Sequence, residues 1–341
     1  MENARLEDTA QALVAPGKGI FAADVPPQGL INGFWGDMRE PKTIDAARDF
    51  QEMMFRTPGL SDHISGIIIF DDVLEQKSKD GNTFLDIIKQ QDILAGITPT
   101  TGWQKLGSSP KERVPTGLDG LPNRLEKWRE AGISFVKWRV AARIGPGLPS
   151  PLAIELGAHS VAEYAALAQA AGLVPIVEPD VEMRGEHDIQ RHFEVTEWFL
   201  HKTFEALYEH GVLLEGIVLK TNMVLSGSDC PIQANEETVA LETLKCLRHT
   251  VPPAVPGIGF LSGGQSDYMA TAHLNATNAH EPQPWQLSFS YGRAIGKAAM
   301  MAWDGRTDNS AGQTALLHRA RMNGLATLGK WAPKLEKPVS S

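Results

Sequence analysis

Basic charge and cysteine are both scarce in this chain. Its 341 residues carry 32 Lys and Arg against 41 Asp and Glu, a formal charge of −9. A surface of that sign repels phosphate backbones, which argues against nucleic-acid binding as the main occupation. Cys230 and Cys246 are the only cysteines, so no disulfide framework is implied, and reduced thiols in a cytoplasmic protein are expected. Long apolar runs are missing too. The stretch from Gly211 to Leu219 is interrupted by Glu215 and falls far short of the ~20 residues a membrane helix needs. The opening Met-Glu-Asn-Ala-Arg has no basic-then-apolar signal pattern. No P-loop, HExxH or GxSxG string occurs, and the two cysteines have no second pair to complete a zinc site. His187 and His192 stand at the wrong helical offset for two ligands on one face and are read as solvated helix histidines. Gly17-Lys-Gly19-Ile-Phe-Ala22 has the glycine spacing of a dinucleotide fingerprint, but it precedes the first strand and is read as a chance match. What remains, at 42% hydrophobic and 21% charged residues, is the composition of a folded globular protein.

The apolar residues are organised as an alternation. Short runs rich in Ile, Val and Phe predict strands at Gly19–Asp24, Ile64–Phe70, Gly96–Thr100, Ser134–Val140, Val174–Asp180, Glu215–Asn222, Gly257–Gly263 and Gln286–Gly292. Helical spacing predicts helices at Thr43–Phe55, Leu121–Ala131 (closed by Gly132), Ser160–Ala171, Glu186–His210, Asn235–His249, Asp267–Asn278, Gly292–Trp303 and Gln313–Leu328. Ser160 and Glu163 have the spacing of a capping box. Eight strands each trailed by a helix predict a (β/α)8 TIM barrel rather than an open doubly wound sheet. The whole chain, 1–341, reads as one such domain, with the barrel over about 17–305 and an extra C-terminal helix and tail over 306–341.

Charges gather where those strands end. Lys137 and Arg139 share a face with Phe135, Glu178 and Asp180 share one with Ile176, and Lys220 and Asn222 share one with Val218. Asp24 closes the first strand. Any one of these alone is readily explained as a solvated strand end or a structural ion pair. Three acids and three bases in matching register are not, because burying so many charges together costs stability. With these faces turned inward, the six meet at the C-terminal mouth of the barrel, where such folds do chemistry. A lysine there, desolvated and beside the cations of Lys137 and Arg139, is expected to lose its proton readily. The free amine can condense with a ketone, and Glu178 can shuttle the protons needed to expel water. Two corners complete the picture. Leu261-Ser262-Gly263-Gly264-Gln265-Ser266 and Ser290-Tyr291-Gly292-Arg293 each end a strand and begin a helix, the arrangement of a barrel phosphate site.

With these residues in view, the sequence resembles the class I, Schiff-base fructose-bisphosphate aldolases over nearly its whole length. The strings that carry the resemblance are Phe135-Val-Lys-Trp-Arg139, Pro175-Ile-Val-Glu-Pro179, Leu219-Lys-Thr-Asn-Met-Val224, Phe260-Leu-Ser-Gly-Gly-Gln-Ser266 and Phe289-Ser-Tyr-Gly-Arg293. The resemblance implies Lys220 as the Schiff-base lysine and Glu178 as general acid/base for the imine. It implies that Lys137 stabilises charged intermediates and that Asp24 takes the C4-hydroxyl proton. Ser262, Gly263, Gly292 and Arg293 would hold the C1 phosphate, with Arg139 and Asp180 in support. It further implies a sugar phosphate as the small-molecule partner, no metal or other cofactor, a homotetramer, and a cytoplasmic location without nucleic-acid or membrane partners.

The departures fall at one end of the substrate. Where the family continues Glu-Ser after the first-strand aspartate, this chain has Val25-Pro26, and where it has Asp-Lys after the third strand, this chain is read as Thr100-Thr101. Both changes touch the C6 phosphate, so weak binding there, or a different aldehyde, is expected, with Lys105, Lys111 or Arg113 as substitutes. The terminal tyrosine of animal relatives is also missing: this chain ends Lys-Pro-Val-Ser-Ser, and its last tyrosine is Tyr291. Two readings compete with a fructose-bisphosphate aldolase: the same chemistry on a ketose 1-phosphate lacking the C6 phosphate, and a catalytically weak sugar-phosphate-binding barrel.

Overall fold

A computed structural model describes residues 2–33 and 43–336. Ten strands lie in this order: β1 (Gly19–Ala22), β2 (Ile64–Ile69), β3 (Leu94–Ile97), β4 (Gly102–Leu106), β5 (Ser109–Thr116), β6 (Phe135–Arg143), β7 (Val174–Glu182), β8 (Val218–Thr221), β9 (Gly257–Phe260) and β10 (Gln286–Tyr291). Eight of them close into a parallel barrel in the order β1, β2, β3, β6, β7, β8, β9, β10 and back to β1. The predicted eight-stranded TIM barrel is therefore the architecture observed. β4 and β5 form a separate antiparallel hairpin between the third and fourth barrel strands.

Alternation along each strand sorts side chains into two cores. Ile20, Ala22, Ile68, Phe135, Val174, Ile176 and Val218 point into the barrel and form one buried cluster. Their neighbours in sequence, among them Phe21, Ile67, Val136, Trp138, Val177, Leu219 and Phe289, point outward into the larger core beneath the helices. The helix α1 (Glu2–Leu13), which the sequence pattern had not revealed, brings Leu6, Ala10 and Leu13 against the inner cluster and seals the barrel floor. Phe135 fills that floor. A Cβ on Gly96 would sit 2.2 Å from its ring, and one on Gly66 would sit 3.1 Å from it, so two strands are bare of side chain where the ring lies. The floor is thus apolar and filled, which leaves the opposite end to the charges.

The remaining helices are α2 (Pro27–Ile31), α3 (Ile44–Phe55), α4 (Asp71–Leu74), α5 (Phe84–Gln90), α6 (Leu121–Ala131), α7 (Pro151–Ala170), α8 (Ile189–Glu209), α9 (Glu236–Thr250), α10 (Asp267–Asn278), α11 (Arg293–Trp303) and α12 (Ser310–Ala326). Side-chain caps start many of them. Thr43, Asp188, Asn235 and Ser266 each accept a backbone N–H from the first turn, and Gly132, left-handed at φ 95°, ends α6 as expected.

Several boundaries differ from expectation, four of them informatively. The helix predicted from Ser160 begins nine residues earlier, at Pro151, and its cap is Ser150, whose hydroxyl accepts the Ala153 N–H at 3.2 Å. Ser160 lies mid-helix and accepts a hydrogen bond from the Trp138 indole, so the capping box does not form. α8 begins at Ile189 rather than Glu186, because residues 183–187 run as a loop that bonds the loop after β8: Gly227 N–H donates to His187 O, and Ser228 N–H to Met183 O. β3 ends at Ile97 instead of Thr100, since Thr101 N–H donates to Thr116 O and carries the chain into the hairpin. β8 is shorter than predicted, with a 3-10 turn over Leu214–Gly216 ahead of it.

Candidate active site

Barrel geometry puts the end of each strand at one mouth, and the inward parity of Phe135, Ile176 and Val218 carries two residues further to Lys137, Glu178 and Lys220. All three are buried, each no more than 5% exposed. Asp24 joins them from the residues just past β1. Glu178 stands between the two lysines: its Oε1 lies 3.3 Å from Lys220 Nζ and its Oε2 lies 3.4 Å from Lys137 Nζ. Lys137 in turn donates to Asp24 Oδ2 at 2.5 Å. The predicted cluster is therefore one chain of contacts, Lys220–Glu178–Lys137–Asp24, running across four strands.

The charge states follow from burial and neighbours. Burial pushes the Lys220 ammonium below its ordinary value; Glu178 and Asp24 oppose that, and the nearby Lys137 cation reinforces it. For Lys137, burial acts the same way but is outweighed by Asp24 and Glu178, so its proton is held more tightly than usual. Burial favours the neutral acid at Glu178 and Asp24, yet the lysines overcome it and both carboxyls stay below the usual range. One amine is thus poised to lose its proton while three fixed charges surround it.

Arg139 and Asp180 sit one layer higher. Arg139 donates through Nε at 2.9 Å and Nη2 at 2.5 Å to Asp180 Oδ2, and Nη2 also lies 3.8 Å from Glu182 Oε1. The expectation that Arg139 presses directly on Lys220 needs correction. Its guanidinium is engaged by Asp180, and Lys137 is the cation that acts on the amine. Asn222 is also not part of the cluster. Its Oδ1 accepts the Val181 N–H and its amide donates to Thr196 Oγ1, making it a strut between strand and helix.

The two phosphate-type corners lie side by side. After β9, Ser262 is buried, and Gly263 and Gly264 take φ of +54° and +94°, which turns the chain into Ser266 and α10. After β10, Gly292 starts α11 with no side-chain cap. The exposed Arg293 reaches back until its Nη2 is 3.8 Å from where a Cβ of Gly264 would be. A left-handed glycine turn and a guanidinium thus lie together beside the uncapped start of α11.

The residue class sequence reasoning missed is the donor to Asp24. Thr98, just past β3 and 6% exposed, donates its hydroxyl to Asp24 Oδ2 at 2.7 Å. Its signal was present in the register: Leu94, Gly96 and Thr98 share the inward face. The histidine expectation was also wrong in detail. His192 is fully buried, with one ring nitrogen against Val181 O at 3.1 Å and the other accepting the Leu225 N–H at 3.0 Å, and His187 stacks on it from the preceding loop. Tyr291 faces the outer core and donates to Ala270 O at 2.9 Å, away from the mouth.

Comparison with known proteins meets this geometry. The sequence profile of the family "Fructose-bisphosphate aldolase class-I" matches residues 5–341. The chain belongs to the class I fructose-bisphosphate aldolases. A probable class 1 fructose-bisphosphate aldolase of Xanthomonas campestris is 49% identical over 96% of this chain and 98% of its own. A cytosolic aldolase of Arabidopsis thaliana is 44% identical over 92% of this chain and 80% of its own. The fructose-bisphosphate aldolase of Plasmodium falciparum, solved in complex with TRAP and a small-molecule inhibitor, superposes with a TM-score of 0.94 at 40% identity, covering 97% of this chain and 96% of that one. The protein is accordingly a glycolytic-type aldehyde-lyase of a metal-independent class.

Lys137 is the residue that holds this aldolase site in its charge state. Lys137→Met removes the repulsion on Lys220 and leaves Glu178 and Asp24 to attract its proton, so the Lys220 pKa rises. Reductive methylation of Lys220 followed against pH should set in at higher pH in the variant than in the parent. An unchanged onset would show that burial alone lowers the amine.

Proposed function

We propose that the buried chain Lys220–Glu178–Lys137–Asp24 performs the Schiff-base cleavage of fructose 1,6-bisphosphate, with the burial of the Lys220 amine 3.3 Å from Glu178 as the observation that carries the reading. The Lys220 amine adds to the C2 ketone, and the proton it sheds passes to the Glu178 carboxylate 3.3 Å away. Glu178 returns that proton to the carbinolamine oxygen, and a second proton, drawn from solvent through the same carboxyl, lets the hydroxyl leave as water and yields the iminium. Asp24 takes the C4-hydroxyl proton as the C3–C4 bond breaks. The electron pair moves into the iminium to give an enamine, the aldehyde departs, and the electron sink needs no metal ion. Lys137 keeps Asp24 and Glu178 ionised and offers positive charge to the oxyanions that form. Ser262, Gly263, Gly292 and Arg293 hold the C1 phosphate, and Arg139 with Asp180 braces the mouth above the reacting carbons. Protonation and hydrolysis of the enamine release dihydroxyacetone phosphate. The acid for that protonation is Glu178 or a water molecule, since Tyr291 is turned away.

At the far end, Val25 is buried in the outer core and Pro26 caps α2. Thr101 is tied to Thr116 through its N–H and hydroxyl, and Arg124 spends its guanidinium on the carbonyls of Pro99 and Gly117. The substitutes Lys105, Lys111 and Arg113 are exposed on the hairpin, with Arg113 lying over the Trp103 ring at 4.5 Å. These positions supply little to a C6 phosphate, which favours acceptance of a ketose 1-phosphate. The chain is read as one domain, barrel over about 17–305 with C-terminal helix and tail over 306–341, of which 337–341 lie outside the described residues. We read it as cytoplasmic, a reading supported by its two unpaired cysteines and a relative named cytosolic, and as a homotetramer, which the family resemblance implies.

Three outcomes are expected. Borohydride with dihydroxyacetone phosphate fixes a stable adduct on Lys220; Lys220→Arg abolishes it, and Glu178→Gln lowers kcat by about 10²–10⁴-fold. An adduct mapped to another lysine overturns the reading. Steady-state comparison should give fructose 1-phosphate a kcat/KM at least comparable to that of the bisphosphate, and a strong preference for the bisphosphate contradicts the far-end reading. Light scattering should give four times the chain mass, and a monomer would refute the tetramer.

A further inference from the structure

The Thr98 hydroxyl has a partner that matters to the chemistry just described, and the inference rests on that reading of the site. Asp24 Oδ2 accepts two donors at once, Lys137 Nζ at 2.5 Å and Thr98 Oγ1 at 2.7 Å. Two donors on one oxygen occupy it and fix the rotation of the carboxylate, which leaves Oδ1 as the oxygen available to a substrate hydroxyl. They come from two adjacent strands of the barrel: Lys137 from β6, and Thr98 from just past β3.

Thr98 is itself held rigidly. Its N–H donates to Ile69 O at 3.1 Å, continuing the ladder with β2 beyond the last residue of β3. Pro99 follows, which restricts Thr98 to an extended backbone, and the Pro99 carbonyl is gripped by Arg124 Nη1 at 2.8 Å. A β-branched side chain has few χ1 choices on such a backbone, so the hydroxyl is aimed with little freedom lost on binding. Asp24, by contrast, lies past the end of β1, where its neighbours Ala23 and Val25 make, among the described residues, the short-range backbone bonds Ala23 N–H to Phe21 O and Val25 N–H to Ala23 O. A carboxylate on such a segment needs an external brace.

We propose that Thr98 is a positioning residue for C–C cleavage, orienting Asp24 so that Oδ1 receives the C4-hydroxyl proton. Burial works against the ionised form of Asp24, as does the neighbouring Glu178 carboxylate, and the Thr98 hydroxyl favours that form together with the cations of Lys137 and Lys220. Loss of the hydroxyl therefore raises the Asp24 pKa. A base must be ionised to work, so the acid limb of the cleavage rate moves to higher pH.

Thr98→Val keeps the shape and removes the donor, Thr98→Ser keeps the donor, and Thr98→Ala removes both donor and branch. Val and Ala variants should lose about tenfold in kcat for cleavage with KM little changed, and their acid limbs should move to higher pH, while Ser stays close to the parent in both. Borohydride trapping of dihydroxyacetone phosphate, which needs Lys220 and Glu178 but no C–C cleavage, should be unchanged in all three and certifies that each is folded. Parental kcat and pH profile in Thr98→Val with trapping intact would overturn the inference alone, as would a Ser variant no better than Val. Absence of trapping in the parent enzyme would instead overturn the underlying reading.

Discussion

Four charges buried in one barrel mouth have to neutralise each other without all being neutral. Lys137 makes that possible. It stands between Glu178 and Asp24, holds both below the usual carboxylate range, and is itself held protonated by them. Once that triad is satisfied internally, Lys220 is the cation left over, with burial and the Lys137 charge both acting against its proton. Removing any member leaves another charge buried without its partner, a situation that is strongly destabilising in protein interiors. The site and the stability of its wall are therefore coupled through the same contacts.

The barrel makes this coupling affordable by confining polarity to one end. α1 and the Phe135 ring fill the floor so completely that Gly66 and Gly96 have no room for a Cβ, and an apolar cluster lies inside the barrel below the lysines. Water is thus kept from the rear of the site, and the charges feel a low-dielectric wall on one side and substrate on the other. The phosphate-type corners stand after β9 and β10, on the arc between β8 and β1, where a left-handed glycine turn and a helix start contribute backbone N–H groups rather than further buried side-chain charge.

Much of this was legible in one dimension. Short apolar runs located all eight barrel strands, and the parity of Phe135, Ile176 and Val218 brought Lys137, Glu178 and Lys220 to one face. What was not legible has physical causes. Helix α7 starts at Pro151, and its mean apolar character hides a start that is decided by Ser150 and the buried Glu112 of the hairpin, which accepts from Ser150 N–H and hydroxyl. His192 reads as a surface residue on helix α8 because its partners, Val181 O and Leu225 N–H, come from other strands' ends. Thr98 reads as an unremarkable strand end because its one informative contact is to a residue 74 positions away.

The amino-acid order alone determined which residue types stand at which parity, and through that the fold class, the inward charges and the family resemblance; these depend only on local periodicity and on strings that survive without knowledge of distance. The tertiary structure alone decided who pairs with whom: that Arg139 turns to Asp180 and not to Lys220, that Asn222 braces a helix, that α1 closes the floor and that Asp24 is steadied by a threonine from the far side of β2. Charge states in a buried cluster are set by angstrom-scale separations between groups that are remote in sequence, and barrel closure is what creates those separations.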